Sequence, residues 1–93
     1  MAAKEIGILF IRQHGDSVVS VIYDVENNCA GCLQKVLAEG FVPVLRIHSD
    51  DAGWFGFDYV TDAPTELRAI ALKIGQQRAP DFVKQYWSKS ADV

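Results

Sequence analysis

Glu5-Ile6-Gly7-Ile8-Leu9-Phe10-Ile11-Arg12 and Ser17-Val18-Val19-Ser20-Val21-Ile22-Tyr23-Asp24-Val25 flank His14-Gly15-Asp16. Two runs of β-branched and aromatic residues around a glycine that tolerates positive φ describe a hairpin with a tight turn. If His14 pairs with Ser17, one face carries Ile6, Ile8, Phe10, Val19, Val21, Tyr23 and Val25. The other carries Gly7, Leu9, Ile11, Val18, Ser20, Ile22 and Asp24. Both are apolar, so both need cover.

After this hairpin, Asn28 is placed to cap a helix whose stripe is Cys29, Cys32, Leu33, Val36 and Leu37, at the i, i+3, i+4, i+7, i+8 spacing. Gly40 closes it in the left-handed conformation and Phe41 folds back on the last turn. A second hairpin follows, Phe41–His48 and Trp54–Val60, with Pro43 favouring an edge or unpaired position. Period-two alternation groups Phe41, Pro43, Leu45, Ile47, Phe55, Phe57 and Tyr59 on one face. Val42, Val44, Arg46, His48, Trp54, Gly56, Asp58 and Val60 take the other. A last helix begins at Thr61 or Asp62, with Pro64 in its first turn and Leu67, Ile70, Ala71 and Ile74 as its stripe. Gly75 and Pro80 are expected to interrupt it, and residues 88–93 to fray. The order is ββαββα, an α+β fold. Its economical packing is a four-stranded, mainly antiparallel sheet with two helices on one face.

The whole chain of 93 residues makes one domain, 1–93, with room for a single core. Hydrophobic residues make up 49% and charged residues 23%, which excludes a disordered chain. No apolar run is long enough to span a membrane, and the N-terminus does not resemble a secretory signal. Two cysteines are too few for a disulfide scaffold, so a cytoplasmic location is expected. The net charge of −3 offers no attraction to nucleic acid or to anionic lipid. Its distribution is uneven: residues 1–63 carry 4 basic and 9 acidic side chains, and residues 64–93 carry 5 and 3. Arg68, Lys73 and Arg78 step round the last helix without forming a nucleic-acid stripe.

Cys29-Ala30-Gly31-Cys32 is the most specific motif, because a helix N-terminus lowers a thiol pKa and three-residue spacing permits a disulfide. Over Val21–Phe41 the strand, CxxC and helix resemble the start of a thioredoxin or glutaredoxin domain. That resemblance implies a thiol–disulfide protein in which Cys29 attacks and Cys32 resolves. The same cysteines also suit core packing on an apolar stripe. A third possibility is a zinc site completed by His14 and His48.

Cross-strand alternation brings Arg46, His48, Trp54 and Asp58 together as a ligand- or partner-binding cluster. On the same alternation, the face holding Leu9, Ile11, Val18, Ile22, Val42, Val44, Trp54 and Val60 is too apolar to leave in water. The nearest cover is a second copy, with Leu9, Ile11, Val18, Ile22, Val42, Val44 and Val60 as a symmetric interface. The alternative is one helix crossing over to sandwich the sheet. No nucleophile–base motif or phosphate loop emerges, and no cofactor is expected. The sequence therefore points first to a small non-catalytic binding protein, homodimeric through its sheet, and second to a thiol–disulfide protein.

Overall fold

The computed structural model describes residues 3–26 and 30–91. Its elements are β1 (Lys4–His14), β2 (Ser17–Asp24), α1 (Ala30–Ala38), β3 (Val42–Ser49), β4 (Phe55–Tyr59) and α2 (Thr65–Ala91). The strands form one antiparallel sheet in the order β2-β1-β3-β4. The class is α+β, with a four-stranded antiparallel sheet and two helices.

The first hairpin has the expected register, His14 opposite Ser17 and Leu9 opposite Ile22. Gly15, at φ 61°, supplies the turn. In the second hairpin Arg46 faces Asp58, Ile47 faces Phe57 and His48 faces Gly56. The two hairpins join differently from expectation. Leu9 pairs with Leu45 and Gly7 with Ile47, so the Leu9 side of β1 continues into the Leu45 side of β3, not the Arg46 side. Two bulges set this junction. Ile6 is an extra residue between the Glu5–His48 and Gly7–Ile47 pairs, and Val44 is extra between Leu45 and Pro43. Each bulged side chain turns into the core that period-two alternation denies it, and both are fully buried.

α2 covers this combined face. Leu9, Ile11, Val44 and Leu45 pack with Ala63, Leu67 and Ala71, while Ile6 and Ile47 pack with Ala79, Val83 and Tyr86. The buried positions Leu67, Ala71, Gly75, Ala79 and Val83 fall four apart, an inclined row that follows the twist of the sheet. Small residues in its middle let the helix approach closely. A Cβ at Gly75 would lie 2.6 Å from Leu45 Cδ2. α2 does not break at Gly75 or Pro80 and reaches Ala91. Pro80 removes one helix hydrogen bond, but Ala79, Val83 and Tyr86 on either side of it are buried against β1 and β3. Tertiary burial outweighs the local defect.

The expected dimer interface is therefore corrected. Leu9, Ile11 and Val44 are 0% exposed beneath the chain's own helix and offer no surface to a twin. Ile22 and Val60 pack partly buried against the same core. Of that set only Val18 and Val42 stand exposed. The earlier assignment failed because the parity between two hairpins is set by bulges, which the alternation of each hairpin does not reveal.

α1 ends as expected. Gly40 has φ 89°, its N–H donates to Leu37 O at 3.1 Å, and Phe41 N–H donates to Val36 O at 3.3 Å, a Schellman cap. Its apolar stripe is spent lightly, with Leu33 and Val36 half-buried and Leu37 exposed. Arg12, turned away from α2 by alternation from Ile11, ties the end of α1 to the sheet. Its guanidinium lies 4.7 Å from the Phe41 ring centre and donates to the Glu39 carbonyl at 3.0 Å. The proposed Asn28 cap lies outside the described residues.

Candidate functional site

The side of the sheet away from α2 carries a row across all four strands: Tyr23, Ile8, Arg46 and Asp58, each opposite the next. Beside it run Val21 and Phe10, then Glu5, His48 and Gly56. Phe10 is 2% exposed and meets Tyr23 edge-on at 6.3 Å.

The expected cluster of Arg46, His48, Trp54 and Asp58 assembles on this side. Arg46 donates to Asp58 Oδ2 at 3.2 Å, and its Nε lies 3.7 Å from Glu5 Oε1. Glu5 was not foreseen, because the bulge at Ile6 places it there. His48 stands opposite Glu5 and Gly56, and its Nε2 is buried without a hydrogen-bond partner among the described residues. The Trp54 indole occupies the space above Gly56. A Cβ on that glycine would be 2.9 Å from Trp54 Cη2 and Cζ2, so only glycine leaves room for the ring. The indole is nonetheless 54% exposed.

The backbone under Trp54 is tightly held. Asp50 Oδ1 accepts from Ala52 N–H and Trp54 N–H, both at 3.0 Å, an Asx turn. Ser49, the one buried polar residue among those described, donates its hydroxyl to the Trp54 carbonyl at 2.8 Å. The same Oγ accepts from Trp87 Nε1 at 3.0 Å, which ties the turn to α2. Ser49-Asp50-Asp51-Ala52-Gly53 was legible as a turn. The contribution of Trp87 was not, since it lies 38 residues away.

A second polar group fastens the same end of the sheet, where Lys4 pairs with Ser49. Lys4 Nζ bonds Glu26 Oε1 at 2.6 Å and lies over the rings of Tyr86 and Trp87, at 5.4 and 5.5 Å. The hydrogen bond to Glu26, with help from Tyr86, raises the pKa of Lys4 above its ordinary value. The bond from Lys4, again with help from Tyr86, lowers that of Glu26. Burial, followed by the neighbouring Glu26, raises that of the Tyr86 phenol.

The two histidines of the zinc alternative do not meet. His14 closes the turn of the first hairpin, whereas His48 faces Glu5 nine residues back along β1, a separation of about 30 Å. That correction leaves no four-ligand site from Cys29, Cys32, His14 and His48. Among the described residues no group of three or more metal-ligating side chains converges. Cys32 is exposed in the first turn of α1 and is not a core side chain there. Cys29 lies outside the described residues.

No helix among the described residues is long and apolar enough to cross a membrane. The chain matches no protein-family model, no curated protein and no solved structure.

Proposed function

We propose that this protein is a non-catalytic binding module that receives a cationic, planar side chain of a protein partner, such as an arginine, on Trp54. The observation that carries this reading is the indole itself, more than half exposed yet fixed by Gly56 beneath it and by three bonds to its backbone. Holding a large apolar ring in water costs free energy that a stacked partner recovers. The charge nearby selects the partner. Arg46 is already shared by Glu5 and Asp58, and the Asp58 side chain remains 62% exposed, so the surplus around the ring is negative. A guanidinium can lie on the indole and reach the carboxylate. The site is a flat platform. The larger concavities, about 480 and 380 Å³, lie instead along α2. A platform suits a partner's protruding side chain better than an enveloped small molecule.

Titration with argininamide, followed through the Trp54 indole N–H resonance, tests this reading. A saturable shift is expected, absent in Trp54→Ala and weakened roughly fivefold in Asp58→Asn, in line with up to about 1 kcal/mol for an exposed ion pair. An equal response to the neutral isostere citrullinamide would overturn it.

One observation favours a second reading, a thiol–disulfide protein using Cys29 and Cys32. Cys32 is exposed in the first turn of a helix, where a thiol or disulfide of another molecule can reach it. Alkylation of the folded protein across pH separates the two readings. A thiol reacting with an apparent pKa well below that of a free cysteine supports redox chemistry, and reaction only after denaturation removes it.

A further inference from the structure

We propose that the outer edge of β2 is a self-association surface on which a second copy pairs its own β2, antiparallel and centred on Val21, making one eight-stranded sheet. The inference is independent of the Trp54 reading.

The hydrogen-bond phase of β2 is settled by its ends. The two-residue turn closes on His14 and Ser17, and Val25 N–H donates to the Ile6 carbonyl at 3.2 Å. Odd-numbered residues from Ser17 to Val25 thus spend their N–H and C=O on β1. The backbone groups of Val18, Ser20 and Ile22 point outward. α2 packs chiefly over β1, β3 and β4 and meets β2 through Ile22 and Ser20, on the α2 side of the strand.

Edge strands are usually protected by lysine, proline, bulges or brevity. β2 is eight residues long, pairs with β1 without a bulge, and has neither lysine nor proline. Five of its residues, Val18, Val19, Val21, Ile22 and Tyr23, are strong strand formers. Arg78, on α2, reaches the edge. It donates to the Ser20 carbonyl at 3.1 Å and to its hydroxyl at 2.6 Å. That bond marks the carbonyl as open to an incoming donor. The arginine is exposed, so an arriving strand can displace it.

A second copy fits this edge in register. With Val21 opposite the partner's Val21, Ser20 meets the partner's Ile22 and Val18 meets the partner's Asp24, all with outward-facing backbone groups. Away from α2, Val19 meets the partner's Tyr23, a β-branched–aromatic pair of the kind that stabilises sheets. On the α2 side, the displaced Arg78 finds the partner's Asp24 carboxylate diagonally across, within reach of its side chain. Two-fold symmetry makes each contact twice.

Sedimentation equilibrium at about 100 µM should give twice the 10.3 kDa of the chain. Val21→Cys, in a Cys29→Ser, Cys32→Ser background, should oxidise to a covalent dimer, because directly opposed non-hydrogen-bonded positions approach disulfide distance. The exposed control Val42→Cys should not cross-link. Ser20→Pro removes an outward donor without touching the β1 ladder, and Val21→Lys opposes two cations. Each should weaken the dimer at least roughly tenfold. A monomer at this concentration overturns the proposal, whether or not the edge accepts a strand from another protein. So does a dimer indifferent to both substitutions, or a mass that grows without limit. If Ser20→Pro fails to fold, the Val21→Cys cross-link and its control decide alone.

Discussion

The two ββα halves share an order of elements but differ in what their helices do. α1 has nine residues, a well-formed stripe and a complete C-terminal cap, yet Leu37 is 49% exposed and Cys32 faces solvent. α2 has 27 residues, a glycine and a proline in its interior, and an apolar row thinned by alanines, yet it builds both core clusters. Helix quality in isolation and contribution to the core are separate properties. What qualifies α2 is closeness. Ala71, Gly75 and Ala79 present almost no side chain, so the backbone can settle onto Leu45, Ile47 and Phe57.

The sharpest way to break this contrast is Gly75→Val, which drives atoms into Leu45 and Phe57. A loss of about 3 kcal/mol in urea unfolding is expected from overpacking. A loss below about 1 kcal/mol would show that the helix rides higher than the Gly75 contact implies. Trp87→Phe comes next. It removes the indole donor to buried Ser49 and should cost about 1–2 kcal/mol. Because Ser49 also holds the Trp54 carbonyl, the backbone amide resonance of Trp54 should broaden; an unchanged resonance would separate the turn from α2.

A smaller effect is expected where Lys4 and Glu26 join β1 to the end of β2, since both side chains are about half exposed. Glu26 is held below its ordinary 4.5, so its contribution is present above that pH and lost as the carboxylate protonates in acid. Lys4 and Tyr86 are held above 10.5 and 10.0, so theirs is present below those values and lost in alkali. The stability difference between the native protein and Glu26→Gln should therefore be flat between those limits and shrink on both sides. A difference constant at every pH would show that the ion pair does not carry it. Least of all, Leu37→Ala should change stability by no more than about 0.5 kcal/mol. A larger loss would mean that α1 is packed more firmly than its exposure indicates.

Much of each hairpin was legible in the sequence. Gly15 fixed the first turn, alternation paired Arg46 with Asp58, and Gly40 with Phe41 marked the end of α1. The join between the hairpins was hidden, because Ile6 and Val44 look like ordinary members of a period-two run until their partners are known. The row on α2 was equally quiet, since alanine and glycine carry no hydrophobic signal although they govern how near the helix comes. Of the candidate site, Arg46, His48, Trp54 and Asp58 were visible through local spacing. Glu5 was displaced by a bulge, and Ser49 with Trp87 depended on a contact between residues 38 apart in the chain.

The spare residue at position 6 has a consequence for how this chain can change over generations. Losing Ile6 would join Glu5 to Gly7 in an unbroken ladder, with Glu5 still opposite His48 and Gly7 still opposite Ile47. Lys4 would keep its place over Tyr86 and Trp87, and Glu5 its place near Arg46. A single lost codon would thus leave the sidedness of the amino-terminal end intact and empty a space in the core, since the residue removed is fully buried. The spare position is a place where the strand can lose a residue and keep its register, at the expense of volume alone.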